Sequence, residues 1–225
     1  MVSALHASRP RCPACLRPHS ACICRWVTPV AHRTEVLILQ HPLEVHEAKG
    51  TARLLHLSLP HSRLLTGEQW DPGVLQPLLT APWGTPAPSV PPRRALLLYP
   101  EAPQDAALGL AAPPPLDPAW LPTPQGLRLV VLDGTWRKSR KMLHRNPLLQ
   151  QLPRLPLLAL PASRYRIRIA RQPHQLSTLE ATCAALAQLE ADAERFAPLL
   201  AAFDGFVAQQ AGWQGRSLRA TNESD

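Results

Sequence analysis

The chain reads as an α/β protein: a mostly parallel sheet with helices on both faces, preceded by a small cysteine-bearing unit. Three observations predict this. Short apolar runs alternate with helical patterns along the first two thirds of the chain. The runs at 36–39, 95–99 and 127–132 are almost unbroken, as in strands buried on both faces. The last third turns to long alanine- and leucine-rich segments of helical spacing. A length of 225 residues amounts to one large domain or one domain with an appendage. Such a chain buries roughly 70% of its unfolded surface without disulfide staples.

In chain order, residues 1–28 form a unit of four cysteines punctuated by Pro10, Pro13 and Pro18. Residues 29–212 form the main domain, and 213–225 a polar tail expected to fray. Within the main domain a buried strand is predicted at 36–39, and a helix at 44–57 that is apolar at Leu54, Leu55 and Leu57. A short strand is expected at 63–65, and a buried one at 95–99 stopped by Pro100. Of 27 prolines, 14 lie between Pro77 and Pro124, which marks a local insertion and not a disordered chain. Trp70, Trp83 and Trp120 sit among prolines and are expected to pin loops to the core. The strand at 127–132 is stopped by Asp133-Gly134, and a basic helix at 136–145 ends at Asn146-Pro147. A last strand is placed at 155–160, broken by Pro156. Ser177 and Glu180 have capping-box spacing and open a helix to about residue 192, with a second from about 194 to 210 bent at Pro198.

Composition narrows the function. No stretch approaches the roughly 18 apolar residues of a membrane span, and no apolar run precedes Cys12. The expectation is a cytoplasmic protein with no membrane partner. No glycine-rich phosphate loop and no serine elbow occur. The net charge is +8, yet residues 134–171 hold ten Lys/Arg and no Asp or Glu, which leaves the remainder at −2. A field so concentrated suits a polyphosphate partner such as nucleic acid; the competing reading is arginine scattered over solvated faces.

Two constellations carry chemistry. Cys12, Cys15, Cys22 and Cys24 supply four thiolates in two close pairs, enough to enclose a structural zinc ion with no open coordination position. A redox role is the weaker alternative, and His19 is a substitute ligand. The second is Asp133-Gly134-Thr135-Trp136, a carboxylate at a strand end followed by a helix start, where ligands bind in parallel sheets. Residues 137, 140, 141 and 144 or 145 then share one helix face beside that carboxylate. The plainer reading has Asp133 capping the helix and Trp136 packing beneath it.

The segment Asp133-Gly134-Thr135-Trp136 resembles the signature of the DTW-domain family, the tRNA-uridine aminocarboxypropyltransferases. Further blocks resemble the family in order: Arg11-Cys12 through Cys24, His41-Pro42-x-Glu44 with Lys49 to Leu54, Tyr99-Pro100-Glu101, Ser163 to Arg168, and Leu176 to Ala181. The chain departs at Gly50, where many members carry Asn before the threonine. The resemblance implies a SPOUT-like sheet with a C-terminal knot. It also implies transfer of the 3-amino-3-carboxypropyl group of S-adenosylmethionine to N3 of a tRNA uridine, leaving 5′-methylthioadenosine.

On that footing Asp133 is the candidate base, with ribose binding or a sulfonium contact as alternatives, and Trp136 a candidate stacking partner of uridine. Tyr99, Pro100, Glu101, Gly134, Thr135, Leu176, Ser177 and Thr178 are expected around the cofactor, with the amides at Ser177 and Thr178, or Arg164, holding its carboxylate. Arg137, Lys138, Arg140, Lys141, Arg164, Arg166 and Arg168 are expected on the RNA. The rival readings are a SPOUT methyltransferase and a zinc-braced RNA-binding protein without catalysis.

Overall fold

The computed structural model describes residues 10–84, 90–100, 109–158 and 176–222, with side chains to 212. Four parallel strands form one sheet: β1 (Glu35–Gln40), β2 (Ser62–Thr66), β3 (Arg94–Leu98) and β4 (Leu127–Asp133), in the order β2-β1-β4-β3. Every residue of β1 and β4 is buried. That is why both read as continuous apolar runs with no alternation.

The two faces carry different helices. Val36, Ile38, Leu129 and Val131 point into a core shared with α1 (Ala52–Ser58), α5 (Thr178–Glu190) and α6 (Ala197–Asn222). Leu37, Leu39, Val130 and Leu132 point the other way, toward α2 (Pro72–Thr80), α3 (Trp136–Arg145) and the single turn α4 (Pro147–Gln150). The chain leaving β1 thus goes to one face and the chain leaving β4 to the other. Between their carboxyl ends lies the topological switch point, where open α/β sheets bind ligands.

The cysteine unit is not separate from this body. Cys12, Cys15 and Ile23 belong to the same buried cluster as Val36 and Phe206. Trp26 lies against Gly205 of α6 so closely that a methyl group there would overlap the indole. At the amino ends of β1 and β4 the fully buried Arg128 pairs with Glu35, donates to the carbonyls of Leu78 and Ala81, and lies 4.2 Å from the Trp83 ring centroid. Trp70 and Trp83 pack on one core and Trp120 on the other, as their setting among prolines predicts.

Several expected elements differ. The helix predicted over 44–57 divides into a 3-10 turn, Pro42–Glu44, and α1, because Gly50 closes a tight turn onto Glu47 between them. In place of a strand from 155 there is a single bridge between Arg154 and Leu97. Pro153 and Pro156 flank it and have no amide to donate, and Leu158 is exposed. The helix α2 was not anticipated; Asp71 caps it and Pro72 opens it. Pro198 sits in the first turn of α6, where it bends nothing, and the helix backbone runs on through the expected tail to Asn222. The C-terminal knot that the resemblance implies is not seen among the described residues, which leave out 159–175.

Candidate functional site

Asp133 is the last residue of β4 and is buried. Parallel register sets it beside Gln40, the last residue of β1, so both side chains leave the sheet on the α5 face. The Gln40 Nε2 donates to Asp133 Oδ2 at 2.9 Å, and the Thr178 hydroxyl donates to Oδ1 at 2.7 Å. The next residue, His41, donates its amide to the Asp133 carbonyl at 2.9 Å. Each carboxylate oxygen therefore accepts at least one neutral donor.

The start of α5 is satisfied from within the protein. Ser177 Oγ accepts the Glu180 amide at 3.2 Å, and Glu180 Oε2 accepts the Ser177 amide at 2.8 Å. Thr51, the cap of α1, accepts the Leu179 amide at 3.3 Å. The Ser177 amide expected to hold a carboxylate thus already has a partner in Glu180, and the Thr178 hydroxyl faces Asp133.

Past Asp133, Gly134 lets the chain turn tightly into α3: a Cβ there would stand 3.1 Å from that of Lys138. Thr135 caps the helix. Trp136, 40% exposed, lies flat on the buried Tyr99 ring, with centroids 5.0 Å apart and planes at 10°. The Arg140 guanidinium lies over the Trp136 ring at 5.5 Å, and that of Arg154 over Tyr99 at 5.1 Å. Arg154 also donates to the Pro100 carbonyl at 3.2 Å. The indole therefore has an aromatic partner within the protein, which leaves its exposed portion for a ligand.

The cationic face of α3 is partly neutralised from elsewhere in the chain. Lys138 pairs with Glu44 at 2.8 Å, and Lys141 at 3.0 Å and Arg145 both reach Glu68. Glu68 also accepts from His41 Nε2 at 2.9 Å, and His41 Nδ1 accepts the Leu43 amide. Lys141 and His41 together hold the Glu68 carboxyl below its ordinary range. Arg137 is exposed and has no ion pair among the described residues. Leu176 is half-buried ahead of the Ser177 cap. Glu101, Arg164, Arg166 and Arg168 lie outside the described residues.

The Sγ atoms of Cys12, Cys15, Cys22 and Cys24 all lie within 4.8 Å of one another. The closest contacts are 3.6 Å between Cys12 and Cys24 and 3.7 Å between Cys15 and Cys22. A zinc ion bonded at about 2.3 Å in a tetrahedron separates sulfurs by roughly 3.8 Å, far from the roughly 2.05 Å of a disulfide, so the donor set fits zinc. Leu16, in the left-handed conformation with φ of 61°, closes the Cys12–Arg17 turn. Amides of Cys15 and Ala14 draw the Cys12 thiol down to about 6, whereas burial pushes Cys24 up to about 12. His19 is exposed and stands outside the cluster.

Two hollows of about 510 and 540 Å³ lie away from Asp133, one beside His32 and Arg195, the other beside Cys22 and Gln209. Neither gathers the polar groups that surround the sheet ends. Gln40, Thr51, Glu68 and Arg154 were not anticipated as site residues. A signal for Gln40 did exist: a lone amide ends an apolar strand directly before His41-Pro42.

The chain is thus an α/β protein with a parallel sheet, an anchored carboxylate at its switch point and a four-cysteine cluster packed into the same core. The DTW domain matches residues 9–211, and the chain belongs to that family. It is 27% identical over 190 residues to tRNA-uridine aminocarboxypropyltransferase 2 of Macaca fascicularis, covering 81% of this chain and 57% of the relative. The Mus musculus protein of that name is 29% identical over 192 residues, covering 82% and 58%. That of Drosophila melanogaster is 29% identical over 197 residues, covering 83% and 69%. The chain thus spans less than two thirds of the length of the first two. No solved structure matches it. Among the described residues, no helix is long and apolar enough to cross a membrane.

Proposed function

We propose that the protein transfers the 3-amino-3-carboxypropyl group of S-adenosylmethionine to N3 of a uridine in tRNA, releasing 5′-methylthioadenosine. The family match, and the names its relatives carry, support this reading. The observation that carries it is the Asp133 carboxylate, buried at the switch point and held on both oxygens. A carboxylate in that place is suited to take the N3 proton as attack begins. The N3–Cγ bond then forms as Cγ–S breaks, and the sulfur keeps the electron pair. General-base assistance of this kind is worth about 10²–10⁴-fold.

Around that carboxylate, the chain between β3 and Arg154, at Tyr99 and Pro100, lines one side for adenine and ribose. Gly134 and Thr135 line the other, with Thr178 above. Trp136 supplies an exposed aromatic edge for the extruded base. Arg137 and Arg140, with Arg164, Arg166 and Arg168, meet phosphates, and so do Lys138 and Lys141 once they leave their glutamates. The SPOUT-like knot and a cytoplasmic setting belong to the same reading. Zinc held by Cys12, Cys15, Cys22 and Cys24 would brace the N-terminal turns and take no part in the transfer.

Mass spectrometry of tRNA nucleosides after incubation with the protein and S-adenosylmethionine tests this. Aminocarboxypropyluridine with methylthioadenosine is the expected product pair, and Asp133→Ala is expected to lower turnover by at least 10²-fold while still binding the cofactor. A methylated nucleoside with S-adenosylhomocysteine, or no turnover, refutes it.

A further inference from the structure

We propose that Arg140 binds the phosphate flanking the target uridine; this rests on the reading of Trp136 as the surface on which that base stacks. The cations of α3 fall into two kinds. Lys138 is paired with Glu44, and Lys141 and Arg145 are paired with Glu68. Arg140 is half-buried and makes no ion pair and no hydrogen bond among the described residues, and its Nε is enclosed with no acceptor. A guanidinium that uses none of its N–H donors in such a place is unfavourable until an anion reaches it.

Position decides which anion. Residues 136 and 140 are about one turn apart and share a face of α3, and the Arg140 guanidinium stands over the Trp136 ring at 5.5 Å from its centroid. Tyr99 lies flat on the same indole, so the ring is held from within the protein while part of it stays exposed. A guanidinium resting on an aromatic ring keeps its planar fork in place for two parallel hydrogen bonds to a phosphate. In a nucleotide the phosphate stands one sugar away from the base. The phosphate of a base stacked on this ring therefore comes within reach of the guanidinium beside it. Lys138 and Lys141 must first leave their carboxylates, whereas Arg140 gives up no ion pair. Arg137 also lacks an ion pair among the described residues, but it follows Trp136 directly and projects about 100° away around the helix. Phosphates farther along the strand fall to Arg137 and the glutamate-paired cations.

The test removes each partner in turn. The tRNA that the protein modifies is assembled by ligation with one uncharged methylphosphonate in place of the phosphate on the 5′ or the 3′ side of the modified uridine. The kcat/KM for transfer is then compared between wild type and Arg140→Met, which keeps the apolar stem of the side chain and removes the fork. On one of the two sides the methylphosphonate is expected to lower the wild-type value by roughly 10- to 100-fold, the worth of a hydrogen bond to a charged group. Arg140→Met is expected to lower it by a similar factor with ordinary tRNA, and both changes together by little more than either alone. Losses that multiply on both sides overturn the proposal, and they are what a side chain that only pins Trp136 would give. So do a wild type indifferent to both replacements and a variant as active as wild type. Arg137→Met is the control, expected to multiply with either replacement; a shared loss there, in place of Arg140, also overturns the assignment. If Arg140→Met does not fold, Arg140→Gln is judged by the same criteria. A wild type that transfers nothing sinks the functional reading and this proposal with it, whereas an active wild type with multiplying losses sinks the proposal alone.

Discussion

Removing the metal from the cysteine cluster is expected to destabilise the whole domain, not a detachable appendage. The reason is where the cluster's neighbours lie. Ile23, between Cys22 and Cys24, is fully buried, and Trp26 packs against Gly205 and donates to Gln209 on α6. Without an ion to hold Cys12, Cys15, Cys22 and Cys24 together, residues 12–26 come away from the core and expose both side chains. Each buried side chain of this size is worth about 1.5–3 kcal/mol, so the loss is about 3–6 kcal/mol. For a domain of this size each kcal/mol moves the melting temperature by about 2–4 °C, which gives a fall of roughly 6–24 °C. The assay is differential scanning calorimetry of protein shown to contain one zinc per chain, with and without chelator, alongside Cys15→Ser. A main transition that stays in place after zinc is removed refutes the coupling. So does a separate small transition for the N-terminal turns.

Two further outcomes test the electrostatics. Glu68→Gln releases Lys141 and Arg145, so tRNA binding should tighten at low salt, and its logarithmic salt dependence should steepen by about 1–2 units, near one per freed cation; an identical slope shows that these cations never compete for phosphate. Burial holds His32 below the usual 6.5, with its Nδ1 on the Thr34 carbonyl and its Nε2 accepting the His61 amide. The unfolded chain therefore takes up a proton first. The stabilisation is complete above about pH 6.5 and is lost as pH falls toward the depressed folded value, with the half-buried His56 acting in the same sense. Urea unfolding at pH 7.5 and 5.5 should show a lower midpoint at the acid pH, and an unchanged midpoint contradicts the assignment.

Sequence alone was enough for what depends on neighbours along the chain. The spacing of Cys12, Cys15, Cys22 and Cys24 brings four thiols to one point because short turns fix their separation. The apolar runs of β1 and β4, the Ser177–Glu180 cap and the stop at Asp133-Gly134 follow from local backbone preference. The family signature is likewise written in short contiguous blocks. The helix predicted over 44–57 failed at Gly50, and the strand predicted from 155 failed between prolines. In both places a glycine or proline opposes the apolar pattern, and the backbone follows the glycine or proline.

What Asp133 touches was settled only in three dimensions. Gln40 and Asp133 are 93 residues apart, and only the parallel register of β1 and β4 sets their side chains together. The basic window at 134–171 looked uncompensated because Glu44 and Glu68 lie far upstream, and folding brings both onto α3. Trp136, for which stacking on a base and packing within the protein were both open, meets Tyr99 because β3 and β4 end side by side. Residue type and local spacing specify which groups a chain carries. Which of those groups neutralise, orient or cover one another depends on strand register and helix placement, and these are chosen by packing among residues far apart in the chain.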